Sequence, residues 1–110
     1  MKKKLQIINL LKNPWFHGNI DADRAEEVIM NAKRGTFLVR FSSDPGSYTI
    51  TSKSKSKKLK HFRILHKAGL DFLIGKVECK SLEDIITRYG DQLFLKHPCL
   101  GSPYAYLFAN

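Results

Sequence analysis

Thr36-Phe37-Leu38-Val39-Arg40-Phe41 is the segment that most restricts what this chain can fold into. It is almost wholly apolar up to Arg40, so it reads as a central strand covered on both faces. Two helical patterns supply the cover. Upstream, Asp21 can cap a helix in which Ala25, Val28, Ile29 and Ala32 form one apolar stripe, with Gly35 just past its end. Downstream, Ser81 can cap a helix with Asp84 following it, the stripe is Leu82, Ile85, Ile86 and Tyr89, and Gly90 is placed to stop it.

Between the helices lie further strand-like runs. Tyr48–Thr51 is rich in β-branched and aromatic residues, and the turn chemistry of Asp44-Pro45-Gly46 makes it the hairpin partner of the first run. His61–Leu65 gives a third strand, a turn falls near Ala68-Gly69, and Asp71–Ile74 gives a short fourth before Gly75. The expected fold is α+β: a central antiparallel β-sheet flanked by one α-helix on each face, which buries both stripes.

A chain of 110 residues suits one such domain. The expected division is a basic and apolar extension over residues 1–13, the domain over 14–98 and a tail over 99–110. No apolar run approaches the roughly 20 residues needed to span a bilayer. Met1–Leu11 has a basic start and an apolar middle, but Asn9, Lys12 and Asn13 stand where a secretory signal would need small residues. Cys79 and Cys99 are too few for a disulfide framework, so a cytoplasmic setting with free thiols is expected.

The net charge of +9 is local. Lys2, Lys3 and Lys4 form one cluster and Lys53, Lys55, Lys57, Lys58 and Lys60 another, and without these the net charge falls to +1. Such clusters either are solvated or form a patch for an anionic partner, a membrane surface or a nucleic acid. Nucleic acid is the less expected partner, because the loop lysines are not interleaved with aromatic residues on which bases could stack.

Arg40 is the informative residue. A guanidinium in a central strand needs either an internal carboxylate or an external anion. Ser42 and Ser43 offer hydroxyls and amides in the tight turn that follows, a setting that favours an anion with the geometry of a phosphate.

Trp15-Phe16-His17-Gly18-Asn19-Ile20 looks like the opening motif of the Src-homology 2 family, and Gly35-Thr36-Phe37-Leu38-Val39-Arg40 is similar to its signature strand. Pro45–Ile50, Lys60–Ile64 and Ser81-Leu82 with Ile85-Ile86 resemble its next strands and second helix, so the likeness runs from about Trp15 to Pro98. The resemblance implies a non-catalytic, cofactor-free and monomeric module that binds tyrosine-phosphorylated proteins. It implies a bidentate phosphate contact from Arg40, with Ser42, Ser43 and Thr49 adding bonds. His61 is either a pocket wall or a structural histidine, and Arg63 would lie against the phosphotyrosine ring. Lys60, Phe62, Leu73 and Ile74 would offer the surface for residues after the phosphotyrosine, and Lys53, Lys55, Lys57 and Lys58 an auxiliary basic border. Trp15, His17 and Gly18 are expected to be structural.

The chain departs from the family in two places. Where many members carry a phosphate-contacting arginine at the start of the first helix, Ala22 stands here, and Arg24 would point elsewhere. Only Gly90-Asp91-Gln92 separates Tyr89 from Leu93, where a longer loop commonly walls a downstream pocket, so weak selectivity is expected unless Tyr104, Tyr106 and Phe108 fold back to rebuild the wall. Enzyme chemistry lacks its residues. A cysteine phosphatase needs an arginine shortly after its cysteine, and at that spacing stand Ile85 and Ala105. His97 and Cys99 lack the partners of a zinc site, so no metal is expected.

Overall fold

The computed structural model describes residues 10–43, 46–66 and 72–104. In chain order these form β1 (Phe16–Gly18), α1 (Ala22–Met30), β2 (Thr36–Phe41), β3 (Ser47–Lys53), β4 (Leu59–His66), β5 (Phe72–Ile74), β6 (Val77–Cys79), α2 (Leu82–Tyr89) and β7 (His97–Pro98). The Asp44-Pro45 turn, the Ala68-Gly69 turn, Asp71, Lys2–Lys4, Tyr106 and Phe108 lie outside the described residues.

The sheet runs β1-β2-β3-β4-β5-β6. From β2 to β6 every pairing is antiparallel, as expected. The outer edge of β2 differs: β1 pairs in parallel beside Val39 and Arg40, and β7 beside Thr36 and Phe37, which makes the whole sheet mixed. Both added strands are two or three residues long, too short for a period of two to show in sequence. Pro98 is tolerated because β7 is an edge strand.

Alternation along β2 divides the core. Phe37 and Val39 face α2 with Trp15, Phe16, Ile50, Ile64, Leu82 and Ile85. Leu38 faces α1 with Ala25, Ile29 and Cys99. Each helix starts where its cap was expected. Asp21 accepts from Arg24 N at 2.8 Å, and Ser81 from Asp84 N at 2.9 Å. Ala32 of the expected stripe falls beyond α1, which ends at Met30. Gly90 does not end α2 by a left-handed turn, since its φ is −53°. Its value is closeness: a Cβ there would lie 2.7 Å from the Ile86 carbonyl oxygen.

Packing continues on either side of residues 14–98. Leu10 and Leu11 pack on the α2-side core. Cys99 is buried, Ser102 Oγ donates to the Phe16 carbonyl at 2.8 Å, and Tyr104 stacks on Phe16 at 5.8 Å between centroids. The structural expectations for the opening motif hold. Trp15 is buried against Phe37, and His17 is buried with Nε2 donating to the Cys99 carbonyl at 2.8 Å. Both cysteines are free and buried. No helix among the described residues is long and apolar enough to cross a membrane.

Candidate functional site

The strand register builds the site. Arg40 on β2 is opposite Thr49 on β3, which is opposite Arg63 on β4. One step along, Leu38, Thr51 and His61 form the parallel row. Side chains across a register point the same way, so Arg40, Thr49, Thr51, His61 and Arg63 all face the α1 side. The start of α1 and the turn after β2 close the sides. The result is a cavity of about 490 Å³ lined by Arg40, Ser42, Ser43, Thr49, His61 and Arg63, together with Asn19, Ile20, Asp21, Ala22 and Phe41. All of the residues singled out for the phosphate thus line one cavity.

Arg40 is only 8 % exposed. Its Nε donates to Thr51 Oγ1 at 3.3 Å, and Nη1 lies 3.5 Å from the Phe41 carbonyl, near the limit of a hydrogen bond. Among the described residues no carboxylate lies within ion-pair distance of Arg40. Burial pulls its pKa down, while Asp21 and Glu26, further off, favour the charge. Thr51 Oγ1 in turn meets His61 Nδ1 at 3.0 Å, and His61 Nε2 meets Glu26 Oε1 on α1 at 3.0 Å.

Thr51 and Glu26 were not found from sequence. Thr51 reads as one more β-former and Glu26 as a helix-surface acid; only the register and the helix placement join them to the site. Ala22 lines the cavity, whereas Arg24 points away and pairs with Glu27 at 3.1 Å, both well exposed.

Other expected residues are not brought together. Lys53 Nζ donates to the carbonyls of Met30 and Ala32, at 2.8 and 3.0 Å, and so neutralises the C-terminal end of α1. Lys55, Lys57 and Lys58 are exposed in the β3–β4 turn beside it, at the far end of α1 from the cavity, and none of the four lines it. The auxiliary border is therefore displaced, because the hairpin continues past the pocket before it turns.

The downstream surface is also divided. Ile74 is opposite Ile64, but Leu73 is opposite Leu65. Lys60, Phe62 and Ile74 therefore share the α2 face while Leu73 faces the other way. After α2 the chain turns at once, Leu95 N bonding to the Gly90 carbonyl at 2.7 Å, and Leu95 enters the core. Tyr104 goes to β1, across β2 and β3 from Phe62.

Comparison with known proteins identifies the fold and the family. The SH2 domain family model matches residues 15–89. The chain belongs to the SH2 domain family. SH2 domains are non-catalytic modules that bind phosphotyrosine in signalling proteins. The SH2 domain of a CRK/CRKL homolog from Monosiga brevicollis, solved by NMR, superposes with a TM-score of 0.73 at 31% identity, covering 81% of this chain and 88% of that one. The dual specificity protein kinase shkA of Dictyostelium discoideum is 37% identical over 100 residues, 90% of this chain and 19% of the kinase. Human Ras GTPase-activating protein 1 is 39% identical over 79 residues, 70% of this chain and 7% of that protein. The chain thus spans only a small part of the kinase and of the GTPase-activating protein.

Proposed function

We propose that the Arg40 cavity binds the phosphate of phosphotyrosine in a tyrosine-phosphorylated protein, and that the module discriminates weakly among the residues that follow. The observation that carries the reading is Arg40 itself: a buried guanidinium, without a carboxylate partner among the described residues, facing a cavity that is also lined by Arg63 and by the hydroxyls of Ser42, Ser43 and Thr49. An anion with several oxygens satisfies such a group better than water does. Depth supplies the discrimination among phosphoresidues. The phosphate of phosphoserine stands on a short stem, and that of phosphotyrosine beyond a ring, so only the longer side chain reaches a recessed arginine.

Weak downstream selectivity rests on the path of the chain after α2. Discrimination needs a second concavity whose walls make a wrong side chain costly. Gly90-Asp91-Gln92 leads into the core instead of over the sheet, Leu73 faces away from Phe62, and Tyr104 packs at the opposite edge. Half-burial of one leucine-sized side chain on Phe62 and Ile74 contributes about 1 kcal/mol, or less than about tenfold in affinity.

A peptide array tests both statements. Phosphotyrosine peptides bind, while their phosphoserine and unphosphorylated counterparts do not, and varying the three residues after the phosphotyrosine changes affinity by less than about tenfold. Equal binding of the phosphoserine series would end the first reading, and a spread beyond about a hundredfold the second.

A further inference from the structure

The cavity is held from behind by a chain of polar contacts that ends outside it. From Arg40 outward, Nε meets Thr51 Oγ1 at 3.3 Å, Thr51 Oγ1 meets His61 Nδ1 at 3.0 Å, and His61 Nε2 meets Glu26 Oε1 at 3.0 Å. These groups come from three strands and a helix, β2, β3, β4 and α1, so the contacts tie the sheet row to α1.

Donor counting gives the chain a direction. Arg40 Nε–H can only donate, and a carboxylate can only accept. Thr51 therefore accepts from Arg40 and has its own hydroxyl proton to give. A neutral imidazole protonated at Nε2 takes that proton at Nδ1 and donates to Glu26, so every donor meets an acceptor. In the opposite tautomer the Thr51 oxygen could accept from Nδ1–H as well as from Arg40, but the Glu26 carboxylate would face the lone pair of Nε2 and the Thr51 proton would lose its acceptor. Ring tautomers are chosen by the bond the other nitrogen makes, and here Glu26 makes it.

We infer that Glu26 is a positioning residue for phosphate recognition: through the tautomer of His61 and the hydroxyl of Thr51 it fixes the plane of the Arg40 guanidinium. This rests on the reading that the cavity takes phosphotyrosine. With Nε committed to Thr51 and Nη1 only at the limit of a bond to the Phe41 carbonyl, the outer edge of the fork, Nη1 and Nη2, is what is left to meet a phosphate. The arrangement matters more here because Ala22 brings no cation from α1, so the orientation of Arg40 is not shared with a second helix-borne group.

The sign of the effect separates this role from simple electrostatics. Glu26 is an acid near a site for a dianion, and loss of its charge alone strengthens phosphate binding. Loss of a positioning contact weakens it. Glu26→Ala removes the acceptor, and Glu26→Gln keeps an amide oxygen that can still accept from His61 Nε2.

The test uses the whole chain, a short phosphotyrosine peptide, and nitrogen NMR of the His61 ring and the Arg40 Nε–H at mildly alkaline pH. In the parent, His61 should be protonated at Nε2 with Nδ1 a bare acceptor, and the Arg40 Nε–H should exchange slowly. Glu26→Ala should mix the tautomers, speed that exchange and weaken the peptide about three- to tenfold, as for one lost hydrogen bond. Glu26→Gln should retain the slow exchange and bind within about twofold of the parent or more tightly. Unchanged or tighter binding by Glu26→Ala would overturn the inference, as would an unchanged tautomer and exchange rate in that variant. If no phosphotyrosine peptide bound the parent, the phosphate reading would fail, and the two NMR signatures would still decide whether Glu26 orients Arg40.

Discussion

Arg40 and Arg63 stand on the same face of the sheet, on strands separated by β3, because each is in register with Thr49. Thr49 is itself 8 % exposed, so the cations flank a hydroxyl on the cavity floor. The strand pairing thus presents one arginine to the cavity on either side of Thr49.

Arg63 should therefore matter more than Arg24, although both are arginines close to the start of the site. Arg63→Ala is expected to weaken phosphotyrosine-peptide binding by about 1–3 kcal/mol, the range for a charged hydrogen bond with a ring contact. Arg24→Ala removes an exposed pair with Glu27 and should change affinity by less than about 0.5 kcal/mol. Calorimetric titration of the two variants checks the order, and a larger loss from Arg24→Ala would reverse it.

The lysine hairpin should have little influence on the bound phosphate. Thr49 and Lys53 are four residues apart along β3, about 13 Å at the usual strand rise, and Lys55, Lys57 and Lys58 lie beyond. The screening length at physiological salt is about 8 Å. Replacing Lys55, Lys57 and Lys58 with Gln should leave peptide affinity within about threefold at that salt, with an effect on association that grows as salt is lowered. A large affinity loss at physiological salt would place the hairpin against the bound peptide.

How much of this was legible in the sequence follows from what each residue's role depends on. Arg40 was conspicuous because a charge at the end of an apolar run conflicts with its surroundings, and the serines beside it are neighbours in sequence. The helices were legible from their caps and stripes. Thr51 and Glu26 carry no such conflict: threonine belongs in strands and glutamate on helix surfaces, and their placement depends on register and helix docking. The separation of Leu73 from Phe62 depends on where β5 enters the ladder. Lys53 looked like one member of a cluster until the end of α1 was seen to lie over it.

His17 should make folding sensitive to mild acid. Burial lowers its pKa from the ordinary histidine value, and the bond to the Cys99 carbonyl opposes that only in part. The folded form thus binds this proton less readily than the unfolded form. Its contribution to stability is present above the unfolded pKa of about 6.5 and is lost as pH falls through the folded value. Unfolding followed in urea between pH 8 and pH 5, about 1.5 units to either side of that value, should show stability declining on the acid side. His17→Gln should flatten the decline while lowering stability at neutral pH. An equally steep decline in the variant would assign the acid sensitivity to other groups.

The central claim is that Arg40 grips the phosphate, and titration of one phosphotyrosine peptide into the parent, Arg40→Ala and Arg40→Lys tests it most directly. Truncating one side of a buried charged contact costs roughly 2–5 kcal/mol, so Arg40→Ala should bind about thirty- to several-thousand-fold more weakly. Arg40→Lys should recover little, because an ammonium cannot present two parallel donors. Binding by folded Arg40→Ala within about threefold of the parent would contradict the assignment of the cavity.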